Sequence, residues 1–422
     1  MSDAARRRTI LVITQVYTPD TPAVGQHFAQ ATAELARRGH RVVVLTSANG
    51  YEDASIRFPK RETVDGVEIV RLPFSSFGKK SFPIRALAGL LFVIQCTLRG
   101  LFMKVDGVLI STAPPFASIA AIVLRILKRT PFTFWAMDLN PDQLIALGTM
   151  TERSPIARIF NALNRSMLKR AYAVIALDRF MAQSLNRKRD IGDRMHVIAP
   201  GPLEDAIDPI DHADNPFRAT HGLEGKLVVM YAGNHGLTTP VDTLVDAALR
   251  MQDRERLVFM FIGAGIAKQA VTDAIERHAP ANIISLPYQP FSEIRYSLSA
   301  ADVHAVTIVP EVVGVVHPCK IYGAMAVRRP VLLVGPEPSH VSDLVEQEGF
   351  GWRVDYGDTD RLVEVLDEIL ATDPAEMGRL GERARSVLED RFSHQKLFGE
   401  VADLVERMVG FRNRSVPDEG PG

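Results

Sequence analysis

The stretch Leu227-Val228-Val229-Met230-Tyr231-Ala232-Gly233-Asn234 is apolar at every position until a glycine stops it. A run this short, rich in β-branched residues and closed by glycine, reads as a strand buried on both faces. Val258-Phe259-Met260-Phe261-Ile262-Gly263-Ala264-Gly265 repeats the pattern, and shorter runs follow at 283–286, 303–306 and 331–334. Working toward the N-terminus, runs of the same kind stand at 9–14, 41–46, 67–71, 107–111, 132–136 and 173–177, with helix-like segments between most of them. Strands that alternate with helices predict βαβ units and parallel sheets. The first helix is expected over 25–38, stopped by Gly39-His40. Residues 199–215, rich in proline and aspartate, interrupt the rhythm and predict a linker. The expected fold class is therefore α/β, with two Rossmann-like, doubly wound domains over 1–205 and 206–385 that face each other across a cleft. A final helix, read over 383–409, is expected to cross back to the first domain over 386–410, with a disordered tail at 411–422. Ligands of such sheets bind beyond the carboxyl ends of the strands.

Composition narrows the function. The chain has 422 residues, 46% of them apolar, which is enough for two ordinary cores. Its 49 basic and 50 acidic residues leave a net charge of -1, so no global field favours nucleic acid. Cys96 and Cys319 match no metal or redox spacing, which predicts a reducing, cytoplasmic setting. Arg6-Arg7-Arg8 before Ile10-Leu11-Val12-Ile13 opens a first strand rather than a secretion signal. The segment 84–103 is strongly apolar but contains Arg85 and Arg99 and is flanked by Lys79, Lys80 and Lys104. Its uncharged part is shorter than the roughly 18 residues that suggest a membrane span. Two readings stay open for it, a core-packing helix and a helix lying on an anionic membrane surface.

Chemistry concentrates in His317-Pro318-Cys319-Lys320-Ile321-Tyr322-Gly323. A proline-started helix with a lysine in its first turn can hold a phosphate, although such helix starts are also ordinary features of α/β proteins. Gly263-Ala264-Gly265-Ile266-Ala267-Lys268 imitates a dinucleotide fingerprint but has Lys268 where a third glycine belongs. Asp358-Thr359-Asp360 imitates a metal-binding Asp-x-Asp, yet its position before an amphipathic run makes it a helix cap. His27, His40, His235, His317 and His340 show no metal spacing.

In order along the chain, Tyr231-Ala232-Gly233-Asn234-His235-Gly236, Phe261-Ile262-Gly263-Ala264-Gly265, Ala300-Ala301-Asp302-Val303 and Pro318-Cys319-Lys320-Ile321-Tyr322 with Ala324-Met325-Ala326 resemble glycosyltransferase family 4. The resemblance spans about residues 9–410 and is nearest to its WbuB-like branch, which works in bacterial surface-polysaccharide assembly. It implies a GT-B fold and transfer of a sugar from a nucleotide diphosphate donor, with retention, no cofactor and no metal. The second domain would hold the donor through Gly233, Asn234, His235, Gly263, Gly265, Tyr288, His317, Pro318, Lys320 and Ile321. Gly25 would admit close backbone approach to the donor, and the first domain would bind a saccharide or polyprenyl-linked acceptor.

The departures from that family are equally specific. The usual arginine and lysine after the first donor-domain strand are replaced by Asn234 and Thr238 or Thr239, and the usual glutamate pair by Val315 and Gly323. Either Glu311 substitutes for the lost carboxylate or the donor is held differently, and Lys320 then carries more of the diphosphate charge. Where relatives often place a histidine, Met137-Asp138-Leu139 offers Asp138, which could orient or deprotonate the acceptor hydroxyl or else cap a turn. Asp142 reads as a cap. The expected activity is a glycosyltransferase on the inner face of the cell membrane, and the alternatives are a nucleotide-sugar epimerase and a catalytically silent scaffold.

Overall fold

The computed structural model describes residues 7–20, 22–50, 55–75, 82–202 and 207–414. The chain divides into two compact units, Met1–Leu203 with Gln395–Gly422, and Glu204–His394.

The first unit is built on β1 (Thr9–Ile13), β2 (Arg41–Ser47), β3 (Arg61–Val64), β4 (Val67–Leu72), β5 (Gly107–Ser111), β6 (Phe132–Trp135), β7 (Ala173–Ala176) and β8 (Met195–Val197). Their order across the sheet is β3-β4-β2-β1-β5-β6-β7-β8, and every pairing is parallel except β3 with β4. The apolar runs are buried as read, with Ile10 to Ile13 and Val108 to Ile110 fully enclosed. The polar edge strand β3 and the three-residue β8 carry no such apolar signature. Helix α1 (Ala23–Arg37) packs on β2 and β4, while α2 (Phe82–Phe102) packs on α3 (Ser118–Lys128), which also meets β5 and the helix Pro155–Arg170.

Helix α2 presents one apolar face to the core and another to solvent. Ala88, Phe92, Val93 and Cys96 are buried, whereas Ile84, Leu87, Leu90, Ile94, Leu98 and Phe102 form an exposed stripe with Phe102 90% accessible. That spacing of three and four residues is one helix face. Lys79 and Lys80 lie outside the described residues. Among those described, no helix is long and apolar enough to cross a membrane.

The long last helix differs from expectation. Ser393 is extended (φ -62°, ψ 140°) and separates Pro374–Phe392 from His394–Arg414. The second piece packs on the first unit: Arg38 bonds Asp403 and Glu406, His40 Nε2 lies 2.9 Å from Glu406, and Phe398 faces Trp135. It also runs through 411–414, where a disordered tail was expected; residues 415–422 lie outside the described ones.

The second unit contains β9 (Leu227–Ala232), β10 (Leu257–Ile262), β11 (Ile283–Leu286), β12 (Val303–Thr307), β13 (Val331–Val334) and β14 (Gly351–Val354). They lie all parallel in the order β11-β10-β9-β12-β13-β14. This is the 3-2-1-4-5-6 order of doubly wound sheets, which puts the switch point between β9 and β12. Asp302 explains the Ala300-Ala301-Asp302 motif structurally, since its carboxylate accepts from the Val228 amide at 2.8 Å and from Arg218 at 3.2 Å. It ties the start of β12 to the start of β9.

Candidate active site

The carboxyl ends of β9, β10 and β11 in the second unit are fastened backbone to backbone. Gly233 N donates to Ile262 O at 2.9 Å, Gly263 N to Leu286 O at 3.0 Å, and His235 N to Ala264 O at 2.9 Å. Gly233, Gly263 and Gly265 adopt φ of 124°, 123° and 142°, a region that side chains avoid. Space forbids a side chain as well: a Cβ on Gly263 would collide with the Gly233 carbonyl oxygen, and one on Gly265 with the His235 carbonyl oxygen. The glycines quoted in the sequence therefore mark a place where three loops close on each other.

Lys320 reaches this junction from the loop and helix after β12. Its ammonium donates to Asn234 O at 3.1 Å and lies 4.9 Å from the centre of the Tyr231 ring, and its stem crosses Gly233 so closely that a Cβ there would stand 2.9 Å from Lys320 Cε. A ring face and a carbonyl both favour a cation there. The helix itself is shorter than read. It spans Lys320–Ala326 with Cys319 as N-cap, so Pro318 precedes the first turn rather than opening it. With only seven residues the helix dipole is a weak aid, and the ammonium carries the charge.

The remaining second-unit residues divide. Asn234 is exposed beside Lys320, and Tyr288 is half-exposed. Ile321 is fully buried and Pro318 is buried. His317 Nε2 lies 2.9 Å from the Tyr322 hydroxyl, which also lies 3.0 Å from His340 Nε2, so one hydroxyl spans two imidazoles. His235 is fully buried, and its Nδ1 hydrogen bonds to Gly233 O at 3.0 Å, which leaves Nε2 with no partner among the described residues. Burial, reinforced by the nearby charge of Lys268, pushes its pKa down to about 4 against the pull of the Gly233 bond. It is a neutral imidazole at ordinary pH.

Thr239 shows what stands where relatives carry a cation. Its hydroxyl accepts from Tyr231 Oη at 3.0 Å, and Tyr231 also donates to Asn234 O at 2.8 Å, so both shape the loop after β9. Glu311 sits exposed on the turn Pro310–Val312, which is joined to that loop by Val309 N to Thr238 O at 3.2 Å. A Cβ on Gly323 would meet only Leu298, at 3.6 Å, so packing does not demand glycine there. One cation escaped the sequence reading. Lys268, set aside as a failed fingerprint glycine, donates to Gly263 O at 2.6 Å and to Leu286 O, joining the ends of β10 and β11 beside His235. Only its position after Gly263-Ala264-Gly265 could have pointed to it.

The carboxyl ends of the first unit are built from hydroxyls. Ser111 Oγ donates to Thr14 Oγ1 at 3.1 Å, Thr14 Oγ1 to Val16 O at 3.0 Å, and Thr46 Oγ1 to Gln15 O at 3.1 Å. Asp138 stands half-buried just beyond β6, its amide 3.4 Å from Thr112 Oγ1. Asp142 lies in the first turn of the helix Asp142–Ala146 and pairs with Lys188 at 2.9 Å. Gly25 belongs to α1, and a Cβ there would stand 3.0 Å from the Tyr17 backbone, so its own chain already demands the glycine. Asp358 is the helix cap expected, accepting from Arg361 N at 3.0 Å.

Two doubly wound units, the second with a glycine-closed, lysine-bearing loop junction at its switch point, form the GT-B fold of solved glycosyltransferases. The solved structures agree on the fold. Sucrose-phosphate synthase from Thermosynechococcus elongatus superposes with a TM-score of 0.78 at 17% identity, over 96% of this chain and 100% of that one. The Anabaena protein HepE, solved in complex with UDP-glucose, superposes with a TM-score of 0.71 at 14% identity, over 95% and 100%. Residues 23–201 match the family model "Glycosyl transferase 4-like domain". Along its length it is similar to a Pseudomonas aeruginosa protein described as "Probable glycosyltransferase WbjE", with 24% identity over 408 residues, 95% of this chain and 98% of that protein.

Proposed function

We propose that this glycosyltransferase moves a sugar from a nucleoside diphosphate-sugar to a saccharide or polyprenyl-linked acceptor, with retention and without metal or cofactor, in bacterial surface-polysaccharide assembly of the WbuB-like kind. The observation that carries this reading is Lys320, whose ammonium is held at Asn234 O above the Tyr231 ring beside the glycine junction. In this reading the second unit binds the donor and the ammonium neutralises the departing diphosphate, an electrostatic contribution that is commonly the largest in such reactions. Lys268, with its ammonium on Gly263 O, holds the neighbouring loop. Asp138, beyond the end of β6, orients the acceptor hydroxyl and takes its proton. Support for a nucleotide-sugar donor also comes from HepE, solved with UDP-glucose.

The exposed stripe of α2, with Arg99 and Lys104 at its C-terminal end, supports a position on the anionic inner face of the cell membrane, where a polyprenyl-linked acceptor would be met. The test is product analysis. A panel of UDP-, GDP- and dTDP-sugars is offered with and without polyprenyl-linked saccharide. Transfer to the lipid-linked saccharide is the expected result. A changed sugar nucleotide formed without acceptor would make the protein an epimerase, and no binding to any member of the panel would leave it a silent scaffold.

A further inference from the structure

The first unit has an open groove whose lining the transfer reaction does not use. It lies between the C-terminal end of α2 and the edge of the sheet, has a volume of about 430 Å³, and is floored by Val43, Leu45, Val70, Leu98 and Phe102. Register explains the floor. Leu45 and Arg61 both pair with Val70, and Val43 pairs with Glu68, so these side chains share one face across β2, β4 and β3. Leu98 and Phe102 belong also to the exposed stripe of α2, so the apolar groove opens onto an apolar surface.

The rim is charged, and unevenly so. Arg41 is neutralised by a two-pronged bond to Glu68, at 2.8 and 2.9 Å. Arg61 and Arg99 line the same groove and are exposed, and their guanidinium groups make no hydrogen bond or ion pair among the described residues. Arg61 lies near enough to Glu68 to help hold that carboxyl below its ordinary range, after Arg41 as the main cause. An apolar channel that continues into an exposed apolar stripe and ends at two unpaired guanidiniums is complementary to a molecule with a hydrocarbon tail and a phosphate head.

We propose that this groove takes one acyl chain of an anionic phospholipid, with the headgroup phosphate between Arg61 and Arg99. The inference rests on the membrane reading of α2 and deepens it: the stripe touches the surface, and the groove draws one lipid out of it. Burial of each methylene contributes about 0.8 kcal/mol, so even a partly inserted chain adds to a binding that surface contact alone leaves reversible.

The probe is dihexanoylphosphatidylglycerol, kept below its micellar concentration and titrated into the full chain by calorimetry, with dihexanoylphosphatidylcholine as the comparison. The phosphatidylglycerol should bind, and the choline lipid at least about tenfold more weakly. Val70→Trp, which fills the groove, should weaken the phosphatidylglycerol by at least about tenfold while leaving flotation with phosphatidylglycerol vesicles in place. The pair Arg61→Glu with Arg99→Glu should abolish the headgroup preference, and it carries the test if Val70→Trp does not fold by circular dichroism. Absence of binding, or equal binding of both lipids that neither variant alters, overturns the proposal. Saturation instead by an amphipathic peptide that the lipid cannot displace would also overturn it. The membrane reading fails separately: wild-type protein that binds the monomeric lipid but does not float refutes the stripe and keeps the groove.

Discussion

The two units wind their sheets around a central first strand in the same way, yet finish the carboxyl ends of those strands by opposite means. In the second unit the loops after β9, β10 and β11 are locked by Gly233, Gly263 and Gly265, which leave no room for a side chain, and a lysine crosses the junction. In the first unit the corresponding ends are joined through the hydroxyls of Thr14, Thr46 and Ser111, with Asp138 nearby. A closed backbone junction with a fixed cation suits a constant group such as a diphosphate. A lattice of hydroxyls suits an acceptor whose own hydroxyls must be matched. The difference teaches that one doubly wound scaffold can finish its strand ends either with closed backbone and a cation or with a set of hydroxyls.

The contrast can be broken most visibly on the hydroxyl side. Asp138→Asn should lower turnover by roughly 10² to 10⁴ while leaving donor affinity unchanged, as expected for loss of a general base; steady-state rates beside calorimetry check it. On the glycine side, Gly263→Ala should destabilise the second unit by about 2–4 kcal/mol, because the new Cβ meets the Gly233 carbonyl in a strained backbone; thermal melting reads this directly. Acid should act on the second unit next. His235 and His304 are held near pKa 4, chiefly by burial, from an ordinary 6.5. As pH falls from about 6.5 toward 4, the unfolded chain takes up protons that the fold refuses, so stability declines over that window by roughly 1–3 kcal/mol per histidine. Melting curves across pH 4 to 7 should show this decline, and His304→Gln should flatten it. The smallest effect belongs to Gly323→Ala, which has room for its Cβ and removes a helical glycine; a gain of up to about 1 kcal/mol by denaturant titration is expected.

Much of this architecture was legible in the sequence because strands buried on both faces must be apolar throughout. The strands that escaped notice, β3, β8 and β14, lie at sheet edges, where one side lacks a neighbour and the apolar signature fades. The break at Ser393 carries no glycine or proline to announce it. In contrast, the start at Asp373-Pro374 did carry a cap and a proline, and Asp373 accepts from Ala375 N at 2.8 Å. For the site, the glycine loops and Lys320 were readable because backbone closure and a cation at a helix start leave residue-type signatures. Lys268 was not, because its value lies in where a long side chain ends after folding, beside carbonyls from two other loops. His317 meets the Tyr322 hydroxyl and Ile321 is buried, and motif membership alone does not distinguish a contact from its support.

The central claim is that Lys320, against Asn234 O and the Tyr231 ring, holds the donor diphosphate. Calorimetric titration of wild type and Lys320→Ala with the nucleoside diphosphate-sugar that binds best tests it most directly. Loss of a hydrogen bond to a charged group is worth about 1.5–3 kcal/mol, so affinity should fall by roughly 10- to 150-fold while thermal stability stays near that of wild type. Equal affinity in the two proteins would contradict the account.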